Sequence, residues 1–314
     1  MSAPRRFDVL TMLDVCVDLL LSGDDVVPEF GQKEKLIGDY TLEMGGSACI
    51  FACQSAKLGL RTAGVGVAGR DDFGDLVCAS LSGSGVNIGW IQRSGTVKTG
   101  LGVLLCAPAD RAILTYNGTI EAVRNQDVTD EMLQSARHLH IASFYLQKQL
   151  DWVDIVRRAK ACGCTVSLDT NWDPAEKWEG VVRELLPHID VFMPNENEAC
   201  LISGQEDLNE AVRFLGERVP TLVVKRGAGG ALSFIGGEAL KLSAMPTTVV
   251  DTVGAGDSFD GGYLWGYLNG CEPEACLRAG LYCGAQNVKG RGGTSAQARE
   301  PELQLHIKSM GGLR

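Results

Sequence analysis

Residues 249–262 read VVDTVGAGDSFDGG, and a helical pattern follows them. Three small residues, Gly254, Ala255 and Gly256, let neighbouring backbone N–H groups converge at the start of this helix. Because the amino end of a helix carries a partial positive charge, such a turn favours an anion. Asp257 follows in the first helical turn, where its carboxylate can accept a proton from a hydroxyl that attacks a phosphoryl group. The stretch therefore predicts an anion-binding turn with a general base beside it.

Each part of this stretch also has a plainer interpretation. Asp257 could cap a helix, and the glycines could form a tight turn. That interpretation accounts for one acid and one glycine, but hardly for the whole of residues 251–257, DTVGAGD. Asp251 comes at the end of a strand-like run, where it could help to order a cation and the loop. The combination favours phosphoryl chemistry over a purely structural turn.

Outside this stretch, short β-branched or aliphatic runs alternate with longer segments of helical periodicity. The alternation predicts an α/β fold with a mostly parallel central sheet and helices on both faces. The predicted core strands are 7–13, 62–68, 138–142, 165–169, 191–193, 221–225 and 231–234. The predicted helices are 46–58, 72–82, 128–137, 147–161, 195–203, 207–217, 255–269 and 273–289.

Two stretches, residues 15–44 and 94–120, break the alternation because they read as strands and turns without a helix. Together they could form a small sheet that projects from the main layer as a lid. The chain shows no repeat of roughly 20 to 50 residues and no low-complexity linker. We therefore expect a single domain over residues 1–314 with an inserted lid.

Composition and charge exclude several classes of partner. The formal net charge of −10 argues against a nucleic-acid surface and against an anionic membrane. Asp8, Asp14 and Asp18 interrupt the only candidate for a signal peptide, and no apolar run approaches the roughly 18 residues of a membrane span. The eleven cysteines contain no CxxC pair and suit a reduced compartment as small core residues. We expect a cytoplasmic protein.

Two further motifs suggest other functions. Residues 64–69, GVGVAG, match GxGxxG, but a dinucleotide site needs an acidic residue about 20 positions later. Residues 77–109 contain no Asp or Glu, so we assign these glycines to packing. A transition-metal site could be suggested by two pairs of residues, His138 with His140 and Cys162 with Cys164. Alternation in a buried strand and small-residue packing explain both pairs more simply.

Taken together, the motifs resemble the ribokinase family of carbohydrate kinases, also called the PfkB family. DTVGAGDSFDGG resembles its C-terminal signature, while residues 45–48, GGSA, with residues 58–59 and 66–74 resemble its N-terminal signature. Residues 195–198, NENE, resemble its NxxE motif, and residues 225–230, KRGAGG, follow a strand where family members contact ATP. Alone, the last two segments could be a helix cap and a hairpin turn. Their order and spacing favour the family interpretation.

The resemblance covers nearly the whole chain and implies a fold and an activity. The fold is the ribokinase-like three-layer α/β/α architecture, with a mostly parallel central sheet and a small β-sheet lid. The activity is ATP-dependent transfer of the γ-phosphoryl group to a hydroxyl of a small sugar. Two alternatives stay open: a nucleoside kinase of the adenosine type in the same family, and a non-catalytic sugar-binding protein.

The resemblance also implies roles for four groups of residues. The catalytic group is Gly254, Ala255, Gly256 and Asp257. The ATP-binding group is Asn195, Lys225, Gly227, Gly230 and Gly256. The substrate-binding group is Asp18, Gly45, Gly46 and Asp257. For metals, the resemblance implies that Glu198 orders Mg²⁺ through water. Asp251 and the carbonyl oxygens around residues 287–292 match the loop that binds K⁺ in some members of the family.

The chain departs from the family pattern near the expected sugar site. Leu13 and Cys16 stand where members commonly have Gly and often Asn, and Ile50 replaces an Asn after the glycine pair. Loss of that amide removes a donor and an acceptor for sugar hydroxyls, so ribose specificity does not follow from the resemblance. Asp18 could also be a surface carboxylate at the lid edge. A homodimer through the lid is a further expectation.

Overall fold

The computed structural model describes residues 5–107, 111–178 and 180–309. The other positions lie outside the described residues. They include part of the predicted domain 1–314 and part of the predicted lid segment 94–120. Among the described helices, none combines the length and the hydropathy that a membrane span requires.

The described elements follow the alternation of the sequence. The strands are β1 (Phe7–Met12), β2 (Cys16–Ser22), β3 (Asp39–Met44), β4 (Thr62–Gly69), β5 (Asn87–Ser94), β6 (Gly100–Cys106), β7 (Arg111–Tyr116), β8 (Ala136–Ile141), β9 (Thr165–Leu168), β10 (Val191–Phe192), β11 (Thr221–Lys225), β12 (Ala231–Ile235) and β13 (Glu238–Leu242). The helices are α1 (Ser47–Lys57), α2 (Asp72–Gly83), α3 (Asp130–Gln134), α4 (Trp152–Ala161), α5 (Val181–Leu185), α6 (Glu196–Ser203), α7 (Leu208–Gly216), α8 (Ala255–Leu268), α9 (Pro273–Asn287) and α10 (Glu300–Ser309).

The large sheet has the strand order β13-β12-β11-β10-β9-β8-β1-β4-β5. All neighbours from β11 to β5 pair in parallel, while β12 and β13 form an antiparallel edge. β1 and β4 are buried along their whole length, as expected for central strands covered on both faces. The predicted α/β class with a mostly parallel sheet is confirmed.

Helices cover both faces of this sheet. One face carries α3 to α7, whose buried side chains form a cluster with the strands through Leu133, Ile155, Leu185, Ile202 and Leu215. The other face carries α1 and α8 to α10, whose contacts with the sheet include Phe51, Tyr263, Leu277 and Leu303. These helices pack apolar side chains on the two sides of the sheet, so helices and sheet form three layers.

The small sheet has the order β3-β2-β6-β7, with β2 and β6 parallel at its centre. It begins only three residues after β1 ends, and the Gly45 N–H donates to the Cys16 carbonyl oxygen at 3.0 Å. The lid therefore rises from the carboxyl end of a central strand of the large sheet. Its strands lie within the predicted segments 15–44 and 94–120.

Several predicted boundaries were wrong, and some elements were missed. The helix predicted over 147–161 begins at Trp152, because the Asp151 carboxylate accepts the Asp154 N–H at 3.0 Å and caps it there. The helix predicted over 128–137 ends at Gln134, and β8 follows immediately. The missed elements are β5, β13, α5 and α10.

Residues 64–69 lie within the buried strand β4 and not between a strand and a helix. A Cβ at Gly64 or Gly66 would press on the Leu13 side chain. These glycines lie at packing positions inside a buried strand, whereas a dinucleotide fingerprint lies between a strand and a helix.

Candidate active site

Two predicted site residues, Asn195 and Lys225, lie with three other polar residues at one edge of the large sheet. Asp14 follows β1, Ser143 follows β8, Asp169 follows β9, Asn195 follows β10, and Lys225 ends β11. Parallel strands present their carboxyl ends together, and ligands of such sheets bind there. The small sheet rises from the same edge. The geometry therefore provides one lidded site.

The small residues of the predicted anion-binding turn lie at the amino end of α8. Gly254 is its N-cap residue with φ +72°, a left-handed conformation that suits glycine. A Cβ there would lie 2.8 Å from the Gly293 Cα and 2.9 Å from the Ile50 Cγ2. Gly256 is helical, and a Cβ at that position would meet the Lys225 Nζ at 3.6 Å. The Lys225 ammonium therefore lies beside the first turn of α8.

Asp257 lies in the first turn of α8 and is 8% exposed. Burial raises the pKa of its carboxyl to about 8, and the nearby Asp169 charge adds to this rise. Lys225 and a hydrogen bond with Ser47 act in the opposite direction. A carboxylate with a pKa near neutrality is suited to general base catalysis.

A chain of hydrogen bonds connects Asp257 to Asp14 across three strand ends. Asp14 caps α1 by accepting the N–H groups of Ala48 at 3.1 Å and Cys49 at 3.3 Å. From Asp14 the chain passes to the Ser143 hydroxyl, then to Asn171, whose Oδ1 accepts the Ser143 N–H at 2.8 Å. The Asn171 Nδ2 donates to the Ser47 Oγ at 3.0 Å, and Ser47 bonds Asp257.

The site residues assigned from the sequence motifs do not include Asp14, Ser143 or Asn171. Their one local signal is position, because Asp14, Ser143 and Asn171 each come within three residues of a strand's carboxyl end. Ser143 and Asn171 also have φ values of +53° and +56°. Non-glycine residues in this region concentrate at functional sites. This backbone strain is visible only in the structure.

Asp18 lies on β2 of the small sheet. A Cβ at Gly45 or at Gly102 would clash with its carboxyl group, so both glycines make room for it. Burial, with the Asp14 charge as the next cause, raises the pKa of Asp18 to about 7. Gly46 is the N-cap residue of α1 with φ +86°. The structure thus brings Asp18, Gly45 and Gly46 together at the base of the lid.

The residues that depart from the family pattern are buried. Leu13, Cys16 and Ile50 are 0%, 5% and 3% exposed. The Ile50 side chain lies against Gly254 and Gly293, beside the cap of α8. Ile50 therefore supports the anion-binding turn by packing.

A cleft of about 580 Å³ opens beside the amino end of α8. Its walls include Gly227, Gly230, Pro246, Phe259, Leu281 and Val288. Gly227 and Gly230 have φ values of +51° and +92°, so the backbone turns sharply around the rim. The size and the apolar walls suit a planar base with its sugar. Lys225 and Gly256 line the end nearest to Asp257.

Asn195 and Glu198 form a capping box at the start of α6. The Asn195 N–H donates to the Glu198 Oε2 at 2.9 Å, and the Glu198 N–H donates to the Asn195 Oδ1 at 2.9 Å. Residues 195–198 therefore also form the helix cap that was the alternative interpretation of this motif. Burial, then the Asp169 charge, raises the pKa of Glu198 to about 7.

Asp251 organises the loop before α8. Its Oδ1 accepts the Val253 N–H at 3.0 Å, and its Oδ2 accepts the Gly292 N–H at 2.8 Å. The Asn287 Nδ2 donates to the Val253 carbonyl oxygen at 2.7 Å. The residues assigned to a K⁺ loop therefore lie together and bond one another.

The paired histidines form a buried hydrogen-bonded ladder. The two ring nitrogens of His138 lie 2.7 Å from the Thr165 Oγ1 and from the Ser167 Oγ, and the His140 Nδ1 lies 2.8 Å from the same Ser167 Oγ. Phe51 stacks on His140 with ring centroids 3.7 Å apart. Within the described ranges, no three His, Cys, Asp or Glu residues come together as a metal-binding group.

Fold and site together define a class of enzyme. A small sheet follows the carboxyl end of a central strand, a buried carboxylate lies at a helix amino end, and an apolar cleft adjoins that helix end. This arrangement suits phosphoryl transfer to a hydroxyl of a small molecule that the lid encloses.

Comparisons with known proteins agree with this class. The chain is 31% identical over 207 residues to cytidine kinase from Thermococcus kodakarensis, covering 61% of this chain and 73% of that protein. It is 30% identical over 268 residues to ribokinase from Arabidopsis thaliana, covering 80% and 68%. A ribokinase II from E. coli, solved with ATP and Mg²⁺, superposes with a TM-score of 0.85 at 25% identity, covering 96% and 99%.

The sequence profile of pfkB family carbohydrate kinases matches residues 15–299, so the chain belongs to that family. The predicted family, the ribokinase-like fold and the sugar kinase class are confirmed.

Proposed function

We propose that the chain transfers the γ-phosphoryl group of ATP to a hydroxyl of a small sugar, with Asp257 as the general base. The observation that carries this proposal is the position of Asp257. Its buried carboxylate lies in the first turn of α8, directly after the small residues of the predicted anion-binding turn.

The reaction follows from this placement. Asp18 accepts hydrogen bonds from sugar hydroxyls and holds the reacting hydroxyl near Asp257. As the sugar oxygen forms its bond to the γ-phosphorus, its proton passes to Asp257, and the electron pair of the breaking P–O bond leaves with ADP. The N–H groups of residues 254–257 stabilise charge on the phosphoryl oxygens. Closure of the lid excludes water, which suppresses hydrolysis of ATP.

The cleft beside Gly227 and Gly230 is proposed to bind the adenine and ribose of ATP. The E. coli structure with ATP and Mg²⁺ supports both molecules as ligands of this fold. Glu198 fits a role near Mg²⁺, because the ion prefers oxygen ligands, keeps several waters and needs only one or two carboxylates. When bound, Mg²⁺ would neutralise charge on the phosphates.

A K⁺ ion remains part of the proposal as a ligand of the Asp251 loop. Each carbonyl oxygen of this loop retains a second lone pair, so the bonds described above do not fill its capacity. Comparison of the rate in KCl with the rate in choline chloride tests this ion directly.

A coupled ADP-release assay across pentoses, hexoses, keto-sugar acids and nucleosides tests the proposed reaction. We expect turnover with at least one free sugar. Turnover with nucleosides alone would replace the sugar by the second candidate, which the 31% identity to a cytidine kinase favours. Sugar binding in a calorimetric titration, without any binding of ADP, would instead indicate a non-catalytic sugar-binding protein.

A homodimer through the lid is proposed as the assembly. Large apolar side chains are exposed on its two edge strands, and they are Tyr40, Leu42, Ile113, Leu114 and Tyr116. Such clustering is typical of protein interfaces. Leu114→Glu should convert a dimer into a monomer in light scattering, whereas Leu305→Glu on the exposed face of α10 should not. Equal masses for both variants and wild type would contradict this assembly.

The proposed location is the cytoplasm, without a nucleic-acid or membrane partner. All eleven cysteines lie in the described ranges as free thiols, which suits a reducing compartment. The net charge of −10 opposes binding to polyanionic surfaces.

A further inference from the structure

Three charged side chains meet beside the anion-binding turn, and we name them the lysine network: Lys225 at the end of β11, Asp169 after β9, and Asp260 on α8. The Lys225 Nζ lies 2.6 Å from the Asp169 Oδ2 and 3.1 Å from the Asp260 Oδ2. The three side chains are 13%, 3% and 0% exposed, so solvent screens their charges little.

Stability alone gives little reason for this network. Buried ion pairs lose much of their mutual attraction to desolvation, and apolar residues of similar volume often pack as well or better. A lysine carries its charge on a flexible stem, so a single partner fixes its position poorly. Two carboxylates on different elements hold the ammonium from two sides. The network therefore defines the position of a charge.

That position is beside the proposed reaction. A Cβ at Gly256 would lie 3.6 Å from the Lys225 Nζ, so the ammonium adjoins the first turn of α8. Asp257 and Asp260 are three residues apart on α8 and share one helix face. The base and one anchor of the ammonium are thus fixed to the same rigid helix. The Lys225 Nζ lies 3.3 Å from the Asp260 Oδ1 and 3.1 Å from the Asp260 Oδ2, and at these lengths both oxygens share one N–H. A second N–H bonds Asp169, and because an ammonium has three donors, the third is left for a ligand.

We propose that Asp169 and Asp260 are positioning residues that hold the Lys225 ammonium at the amino end of α8, so that its third N–H binds the phosphoryl group being transferred. This inference rests on the proposed kinase reaction and adds two residues to it. Neither aspartate is among the site residues that the sequence motifs assign.

The two aspartates have different roles in this network. Two carboxylates that share one buried ammonium are not both ionised without cost. Asp260 is the more buried of the two and forms a hydrogen bond with Asp169. Burial raises the pKa of Asp260 strongly, the Lys225 charge opposes this rise, and Asp169 adds to it. The ammonium also lies closer to Asp169, at 2.6 Å, than to the Asp260 oxygens, at 3.1 and 3.3 Å. Asp169 is therefore assigned as the countercharge, and Asp260 as a neutral hydrogen-bonding partner.

A double-mutant cycle tests the coupling. Wild type, Lys225→Met, Asp260→Ala and the double variant are compared by kcat and by KM for ATP and for the sugar. Lys225→Met should lower kcat by about two to three orders of magnitude, as does loss of one preorganised donor, while the sugar KM changes little. Asp260→Ala should lower kcat in the wild-type background but add less than about twofold to Lys225→Met. Equal losses in both backgrounds would overturn the proposal, because they indicate a role in packing.

Conservative variants test the division of roles. Asp260→Asn should retain most of the wild-type kcat, because an amide preserves a neutral partner, whereas Asp169→Asn should lose about as much as Lys225→Met. The reverse ranking would overturn the assignment. Lys160→Met is the matched control, since Lys160 pairs with Asp190 at 2.7 Å away from the site, and its kcat should equal that of wild type.

Failure of this proposal and failure of the proposed reaction give different results. If wild type phosphorylates a sugar and Lys225→Met retains its kcat, the lysine network has no role in transfer while the kinase reaction stands. If wild type phosphorylates no sugar, the network is tested by titrating AMP-PNP with Mg²⁺ into wild type and Lys225→Met. Weaker binding to the variant supports the network, and equal affinities overturn it. If Asp260→Ala does not fold, the Asn variants and Lys225→Met decide the outcome.

Discussion

Gly254→Ala is expected to destabilise the protein and to impair phosphoryl transfer together. Gly254 has φ +72°, and an L-residue in the left-handed region costs roughly 1–2 kcal/mol. The added methyl would lie 2.8 Å from the Gly293 Cα and 2.9 Å from the Ile50 Cγ2. Overpacking of this kind costs about 1–3 kcal/mol, so the total is about 2–5 kcal/mol.

The expected shift in melting temperature follows from the chain length. Unfolding entropy of about 2.1 cal/mol/K per residue gives about 0.66 kcal/mol/K for 314 residues. A loss of about 2–5 kcal/mol therefore lowers Tm by about 3–8 °C. The same methyl displaces the amino end of α8, and loss of one such donor costs on the order of 100-fold or more in kcat.

Scanning calorimetry without ligand and the ADP-release assay measure both effects. Gly256→Ala separates them, because a Cβ there makes only an ordinary 3.6 Å contact with the Lys225 Nζ. That variant should keep its Tm yet bind ADP more weakly. Gly83→Ala, in α2 with nothing near its Cβ position, should change neither property. If Gly254→Ala melts within about 1 °C of wild type, the strained turn against Gly293 is refuted.

Three further predictions follow from the buried carboxylates. The kcat/KM should rise with pH through an apparent pKa of about 8. Burial and the Asp169 charge raise the pKa of Asp257 to that value, and only the ionised carboxylate accepts a proton. A flat profile of kcat/KM between roughly pH 6 and 9 would contradict this prediction. Asp257→Asn should raise the Tm of the free protein at pH 8. The folded-state pKa of Asp257 lies above its ordinary 3.8, so ionisation costs stability as the pH rises from about 4 through 8, and the gain in the variant should vanish near pH 4. Asp18→Asn should raise the sugar KM about tenfold or more while calorimetry finds ADP affinity unchanged; a loss of ADP affinity instead would remove Asp18 from the sugar site.

The start of α8 could be predicted from sequence because its geometry is local. Gly254, Ala255, Gly256 and Asp257 occupy four consecutive positions, and a helix terminus depends on the residues within one turn. Asn195 and Glu198 form a capping box for the same reason. In each case, residues that are close in the sequence are also close in space.

The connecting residues could not be predicted in this way. Asp169, after β9, and Asp260, on α8, both contact the Lys225 ammonium in the folded chain. They lie 91 positions apart in the sequence, so no local spacing pattern indicates this contact. Asp14 was read only as a break in an apolar run, yet it caps α1 and contacts Ser143. Long-range polar networks of this kind leave at most a polar residue after a buried strand.

The missed elements have a simpler cause. β5 is an edge strand in which no residue is fully buried, so its apolar residues do not alternate cleanly. β13 has the same exposed character, and α5 covers only five residues. Periodicity reports burial, and elements with little burial show little periodicity.

The central claim is that Asp257 accepts the proton of the sugar hydroxyl at the amino end of α8. The most direct test is the rate of ADP release by Asp257→Asn with the sugar that wild type phosphorylates, measured together with the affinities for that sugar and for ADP. We predict a fall in kcat of about two to four orders of magnitude with both affinities nearly unchanged. A kcat near that of wild type would contradict the claim.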